Sequence, residues 1–418
     1  MSAREYDWAA DAQAGPSPTT PRRPQRKPKL ANAALPQDME QCVEQRPILP
    51  LGLEGLMQWM QQRNWPRFHA RQVWHWILAR RCRDFAQMSD LPKRLRQELA
   101  EHFRFYATKV LQTQRAKDGT CKLLVGLADG EPGAVSASPP SAVECVLIPE
   151  QDRRTACLST QVGCGMGCVF CASGLDGVVR NLEWWEILEQ LLHLTDQLPP
   201  EERLSHIVVM GMGEPLANLE NLLTALRWAT DRNGLGLSQR HVTISTVGLP
   251  TRIRQLADLQ LAYHLAVSLH APDDALRTQL VPTNSKIGIA AILEAADYYF
   301  QKTGRQVTFE YVLLRGINDG AQQARALGQL LRGRRAHVNL IPFNEVPGLP
   351  YRRPTDAALA EFQRLLRAHG VSVTVRKRKG SEIQAACGQL RRRSLTNLDA
   401  KKSGSLSPTH SIPATASS

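Results

Sequence analysis

The chain has 418 residues, 43% of them hydrophobic and 22% charged, a globular composition with length enough for one large domain and smaller attachments. Its 52 Lys and Arg against 39 Asp and Glu leave a formal charge of +13, which makes a polyanion the default partner because neutralised phosphates release counterions; the plainer alternative is a basic tail on a neutral body. No apolar stretch reaches the ~18 residues of a membrane helix, and residues 1–10 carry Arg4, Glu5 and Asp7 where a signal peptide is apolar, so a cytoplasmic chain off the membrane is expected.

In a reducing compartment, nine cysteines read as metal ligands, catalytic thiols or core filler, not as a disulfide framework. Residues 1–45 are polar and proline-rich around Arg22, Arg23, Arg26, Lys27 and Lys29, and are expected to be a disordered tail. Residues 46–105 have helical periodicity, with Leu53, Leu56, Met57 and Met60, then Val73, Trp74 and Ile77, then Leu91, Leu95 and Leu99. This predicts a small helical module in which Trp59, Trp74 and Trp76 are core. Residues 391–418 form a second polar tail, leaving 106–390 as the main body.

From about Cys121 short apolar runs alternate with longer amphipathic segments, the pattern of an α/β fold with a parallel sheet. Strands are predicted at 207–210, 242–245, 261–268, 307–313, 338–341 and 371–375, with helices such as 290–299 and 357–368 between them. Six such units make a complete or partial (β/α) barrel whose functional residues belong at the strand C-termini.

The segment Cys164-Gly-Met-Gly-Cys168-Val-Phe-Cys171 puts three thiolates within eight residues, with glycines that let the backbone wrap a bulky core. A 4Fe–4S cube takes four protein ligands, so three leave one iron open for a cofactor or substrate. Zinc would favour paired Cys-x-x-Cys or added histidines, and no second pair exists. Cys42, Cys82, Cys121 and Cys145 read as small buried hydrophobes.

This spacing resembles the radical S-adenosylmethionine (SAM) superfamily, and the longer stretch from Thr155 to Cys171, followed by Arg180-Asn-Leu, resembles the RlmN/Cfr family of RNA adenine methyltransferases. Gly211-Met-Gly-Glu-Pro-Leu216, Val242-Thr-Ile-Ser-Thr246, Ser268-Leu-His-Ala-Pro272, Asn339-Leu-Ile-Pro-Phe-Asn344 and Ala385-Ala-Cys-Gly-Gln-Leu390 agree with it in order, over roughly residues 50–390. The resemblance implies a radical SAM barrel with a small N-terminal helical domain that helps to bind RNA. It implies one 4Fe–4S cluster on Cys164, Cys168 and Cys171, and SAM against Gly213, Glu214, Ser245, Ser268, Leu269, His270 and Asn344. In the route that the resemblance implies, two SAM molecules are used per turnover, one to methylate Cys387 and one to make the radical that activates that methyl. Cys157 then resolves the protein–RNA adduct, Glu144 accepts the C2 proton, and a Cys157–Cys387 disulfide is left for cellular thiols to reduce.

The implied reaction is methylation of adenosine C2 in 23S rRNA and in tRNA 3′ to the anticodon, by a monomer supplied by an electron donor. Cfr-type relatives methylate C8 with the same cysteines; the helical module, with Phe68-His-Ala-Arg-Gln-Val73, favours C2. Two other classes stay open: a radical SAM enzyme acting on a non-RNA substrate, and a non-catalytic iron–sulfur RNA-binding protein. The Gly, Pro, Ser and Ala-rich insert at 131–142, the stretch after Leu175 and the two tails depart from the family pattern.

Overall fold

The computed structural model describes residues 45–127, 141–175 and 177–390. The expected tails, most of the 131–142 insert, Cys42 and Asp176 lie outside the described residues.

The N-terminal module is three helices, α1 (Gly52–Gln62), α2 (Phe68–Leu78) and α3 (Lys93–His102). Their apolar stripes bury Leu56, Met60, Val73, Trp74, Leu95 and Leu99. Trp59 and Trp74 are core as expected, but Trp76 is only half-buried, because its indole N–H donates to Asp90 at the surface. The module joins the main core: Trp74 meets Trp228 at 5.3 Å between ring centroids, and Arg81 donates to the carbonyls of Thr195, Leu198, Pro199 and Glu202 at the end of α4 (Trp184–Thr195).

Ten strands form one sheet. In chain order they are β1 (Lys109–Arg115), β2 (Cys121–Gly126), β3 (Ala142–Glu150), β4 (Arg153–Cys157), β5 (His206–Val209), β6 (Val242–Thr246), β7 (His264–Ser268), β8 (Val307–Leu313), β9 (Ala336–Pro342) and β10 (Ser372–Val375). They lie side by side in that order, antiparallel from β1 to β4 and parallel from β4 to β10. The six predicted strands are β5 to β10. The other four extend the sheet, and the barrel is partial, since β1 and β10 are not paired with each other.

Helices α5 (Leu219–Thr230), α6 (Pro250–Asp258), α7 (Asp274–Leu280), α8 (Ile289–Thr303), α9 (Ala321–Leu331) and α10 (Asp356–Ala368) connect the parallel strands. Alternation along each strand separates core from site. In β8, Val307, Phe309, Tyr311 and Leu313 are buried, and Tyr311 packs on Phe362 of α10. Thr308, Glu310 and Val312 take the other face. Register continues that face across strands as Ser268, Glu310, Asn339 and Thr374, a polar row where a closed barrel would hold aliphatic layers. The interior is therefore a site and not a core.

After β10 the chain crosses the open side of the sheet. Gly380 N–H donates to Asp118 Oδ2 at 3.0 Å and Lys122 Nζ to the Gln384 carbonyl at 3.1 Å, which ties residues 376–390 to the β1–β2 turn.

Candidate active site

The cysteine loop leaves β4 through a short ladder in which Gln161–Gly163 pairs with Val178–Asn181. Cys164 N–H donates to the Gly177 carbonyl at 2.9 Å, closing the loop's neck. A Cβ on Gly163 (φ +79°) would stand 2.0 Å from that carbonyl oxygen, so only glycine fits there. Thr283 Oγ1 donates to the Met166 carbonyl and Val169 N–H to that of Leu280, which anchors the loop to the end of α7. Cys164, Cys168 and Cys171 all line one cavity of about 150 Å³ with Gly213, Glu214, Ser245, Ser268, His270 and Asn344.

The loop after β5 is held by its own groups. Glu214 is buried; its carboxylate accepts from Leu216 N–H at 3.0 Å and Val247 N–H at 2.7 Å, so it joins the ends of β5 and β6. Burial pushes its carboxyl above the usual range, against those donors. His270 follows β7 at φ +61°, a conformation rare outside glycine. Its Nδ1 accepts from Val312 N–H at 3.0 Å, which leaves the ring proton on Nε2. Burial, aided by the charge of Arg277, drives its pKa down to about 3, so the ring is neutral. Leu269 is fully buried outside the cavity wall, its N–H paired with the Glu310 carbonyl.

Cys387 lies on the crossing segment, which is pinned from two sides. Ala172 N–H donates to Gly388 O and Ser173 Oγ to Leu390 O, just past Cys171, while Asn344 Nδ2 donates to Cys387 O and Gln389 Nε2 to Glu345 O. A second cavity, of about 280 Å³, contains Cys157, Cys387, Arg353 and the run Arg376 to Lys379. The two cavities share Met210, Ile341, Asn344, Arg376, Cys387 and Leu390. Cys387 therefore stands in the wall between them, and Cys157 opens on the second cavity alone.

Glu144 is brought near but not into either cavity. It is buried on β3, ion-paired at 3.0 Å with Lys122, whose ammonium also bonds the Gln384 carbonyl. Strand register puts Glu144 on the same face as Val146, which stands opposite Cys157. Cys82, Cys121 and Cys145 are buried as core filler.

Two groups escaped the sequence reading. Arg277 is fully buried and donates to the carbonyls of Val247, Ser268 and Leu269 and to Asn284 Oδ1, stitching the ends of β6 and β7 to the turn after α7. Arg376 lines both cavities beside Glu310. Arg277 stands seven positions after His270 and Arg376 directly after the predicted strand 371–375, so each lies just beyond an element that the sequence did mark.

Residues 158–326 match the Radical SAM superfamily, and residues 47–105 match the Ribosomal RNA large subunit methyltransferase N-terminal domain. The chain is 54% identical over 345 residues to a probable dual-specificity RNA methyltransferase RlmN of Rhodopirellula baltica, covering 82% of this chain and 90% of the relative. A protein of the same description from Symbiobacterium thermophilum is 44% identical, with 83% and 92% covered. The chain belongs to the RlmN/Cfr family of radical SAM RNA methyltransferases. A crystal structure of a radical SAM methyltransferase from Sphaerobacter thermophilus superposes with a TM-score of 0.76 at 39% identity, over 83% of this chain and 99% of that one.

Membership implies a 4Fe–4S cluster and SAM, and the cavity's donor set fits both. Among the described residues no three His, Cys, Asp or Glu side chains converge as a single-ion site, whereas in a cube each thiolate bonds a different iron. Burial raises all three thiols, Cys164 to about 12, and the Cys164, Cys168 and Cys171 charges oppose one another, a cost that a cationic iron core removes. Gly213, at φ +102°, has no room for a side chain because Gln161 stands 2.7 Å from its would-be Cβ.

Proposed function

We propose that this enzyme methylates C2 of adenosine in 23S rRNA, and of the tRNA adenosine 3′ to the anticodon, through a methyl group carried on Cys387. The observation that carries this reading is the position of Cys387 in the wall shared by the cysteine-lined cavity and the basic cavity. A sulfur there can collect carbon on one side and deliver it on the other.

Cys164, Cys168 and Cys171 hold the cluster, and Gly213, Glu214, Ser245, Ser268, Leu269, His270 and Asn344 form the SAM site, Leu269 through its backbone. A cluster held there would supply one-electron reduction of bound SAM. Two SAM are used per turnover, one for the Cys387 methyl and one for its activation. The chain's own groups do the rest. Asn344 fixes the carbonyl of Cys387, and Cys157 waits in the second cavity to displace the Cys387 sulfur from its carbon bridge. Glu144, on the same face as Cys157 and tied through Lys122 to the Cys387 segment, accepts the C2 proton.

Residues 46–105 act as an RNA-binding accessory domain, residues 106–390 as the catalytic core, and the enzyme works as a cytoplasmic monomer with an external electron donor. The match at 47–105 to a methyltransferase N-terminal domain, and relatives named RlmN, favour C2 over C8. Anaerobic incubation of the reconstituted enzyme with SAM, a reductant and 23S rRNA fragments or tRNA, followed by nucleoside mass analysis, should give 2-methyladenosine. Finding 8-methyladenosine would assign the Cfr-type reaction, and finding neither would remove the proposal.

A further inference from the structure

Arg376 follows β10, its backbone N–H bonded to the Leu340 carbonyl at 2.9 Å, and its side chain turns inward: Nη1 reaches Met210 Sδ at 3.4 Å. It lines both cavities, with Cys387 in the wall beside it and Cys157 across the second cavity. Behind it stands Glu310, buried on β8 and hydrogen-bonded by Asn339 Nδ2 at 2.9 Å. The carboxyl and both thiols are the groups whose charges act most on Arg376, with Glu150 next. We propose that Arg376 is one positioning cation shared by two sulfurs, serving the Cys387 thiolate until that sulfur is alkylated and the Cys157 thiolate afterwards.

The argument is one of competition at a single charge. Burial, aided by the neighbouring Cys387, pushes the Cys157 thiol up to about 12, and among the described residues Arg376 is the cation that pulls against that rise. Cys387 shares two of these influences, burial first and then Arg376 lowering it, while Glu310 and not the other thiol raises it. Two thiolates cannot both be supported by one guanidinium in a buried site. Once Cys387 is a thioether it has no charge to offer, and Cys157 has the cation to itself. Other charged or titratable groups around Cys157 are Glu150, Arg353, Lys377, Arg378 and Lys379 on the same cavity wall, Cys145 on the adjoining strand and Glu310 behind Arg376. The cation would thus set the order of events, keeping the resolving thiol protonated until there is an adduct to resolve.

This inference rests on the functional reading for its second step. There, the Cys157 thiolate attacks Cys387 Sγ; the S–S bond forms and the Cys387 sulfur–methylene bond breaks. Its electron pair stays on the methylene carbon, which takes a proton from water to become methyl. Both sulfurs are oxidised and the carbon is reduced, so no further oxidant is required.

Two readouts test it. The first needs no turnover: iodoacetamide alkylation of Cys157 as a function of pH, followed by peptide mass spectrometry of the cluster-loaded protein. Cys387→Ala should shift the alkylation midpoint down by about one pH unit, a tenfold faster reaction at fixed neutral pH. Adding Arg376→Gln should reverse that shift, and Arg376→Lys should retain part of it. A midpoint unmoved by Cys387→Ala, or by Arg376→Gln, overturns the proposal. The second readout is clearance of the covalent RNA adduct: Arg376→Gln should clear it about tenfold more slowly at pH 7 and recover by pH 9, whereas Cys157→Ala should not recover at any pH. Slow clearance without recovery at high pH also overturns it. If Cys157→Ala never forms an adduct, the functional reading fails while the alkylation result still judges Arg376.

Discussion

Asn344 Nδ2 donates to the carbonyl oxygen of Cys387 at 3.2 Å, so the loop after β9 and the segment crossing the open side of the sheet hold each other at the point where the two cavities meet. Asn344→Ala removes that restraint and part of the wall of the proposed SAM site together. Both SAM affinity and the rate of Cys387 methylation should fall about tenfold, the equivalent of one net hydrogen bond. Equilibrium SAM binding and intact-protein mass measure the two separately. A loss of binding with Cys387 methylation untouched at saturating SAM would show that the bond to Cys387 does not position the sulfur.

Arg277 has no acidic partner in its bonding set; it is buried against three carbonyls and the Asn284 side chain. Burial lowers its pKa to about 10, still well above neutrality, so it remains a cation. Arg277→Met keeps length and apolar bulk but strands those four acceptors. The variant should lose about 3–5 kcal/mol of stability in chemical denaturation, and should bind SAM poorly because the ends of β6 and β7 are no longer tied. A change below ~1 kcal/mol would mean that the loops are fixed by other contacts.

His193 gives a pH test. Its Nε2 is 2.9 Å from Thr108 Oγ1, its ring stacks on Tyr106 at 4.2 Å, and burial lowers its pKa to about 4. The folded value lies below the unfolded 6.5, so the unfolded chain binds the proton more readily. The contribution is full above pH 6.5 and is lost as pH falls from 6.5 toward 4. Buried Glu189, raised to about 7 by burial, works the opposite way over part of that window, so a difference between proteins is the clean measure. The stability advantage of the native protein over His193→Gln should shrink by about 2 kcal/mol between pH 7.5 and pH 5. A constant difference would indicate that the ring is not held neutral.

RNA affinity should fall steeply with salt, and the mouth of the second cavity should account for part of that slope. Lys377 and Arg378 are exposed there, unlike Arg376. The double variant Lys377→Ala, Arg378→Ala should flatten the slope of log affinity against log salt by about 1.5, at ~0.7 to 0.9 for each phosphate contact. Titrations between about 50 and 200 mM salt decide it; parallel slopes would move the RNA path elsewhere.

The sequence was legible where chemistry and periodicity agree. The run Cys164 to Cys171 and the six apolar strands from β5 to β10 could be placed because ligand spacing and apolar clustering are local. Strand β4, Arg153–Cys157, was missed since three of its five residues are polar, and β3 since Glu144 and Pro149 interrupt it. Both are strands by virtue of their neighbours. The inward row of Ser268, Glu310, Asn339 and Thr374 depends on register between strands about thirty to forty residues apart, which no single segment encodes. Glu144 illustrates the same limit: the sequence marks a carboxylate, while its partner Lys122 comes from pairing β2 with β3.

The resolving thiol offers the most discriminating experiment, because Cys157 has one task in the proposed reaction and it comes last. Cys157 lines the cavity that holds Arg353 and the Arg376 to Lys379 run, and it is absent from the wall of the cavity that holds the three cysteines. Cys157→Ala should therefore bind SAM, methylate Cys387 and join Cys387 to RNA through carbon, since none of these steps passes through the second thiol. Release alone should fail. The bridge is a thioether, stable to denaturation, and without a neighbouring thiolate nothing displaces the Cys387 sulfur. The variant should accumulate a protein–RNA species that persists on a denaturing gel, collapses with ribonuclease and maps to Cys387 by peptide mass spectrometry. Cys157→Ala, Cys387→Ala should give no such band, and the native protein should give it only transiently. Normal turnover by Cys157→Ala, or an adduct on any other cysteine, would refute the two-thiol scheme while leaving the proposed cluster and SAM sites untouched.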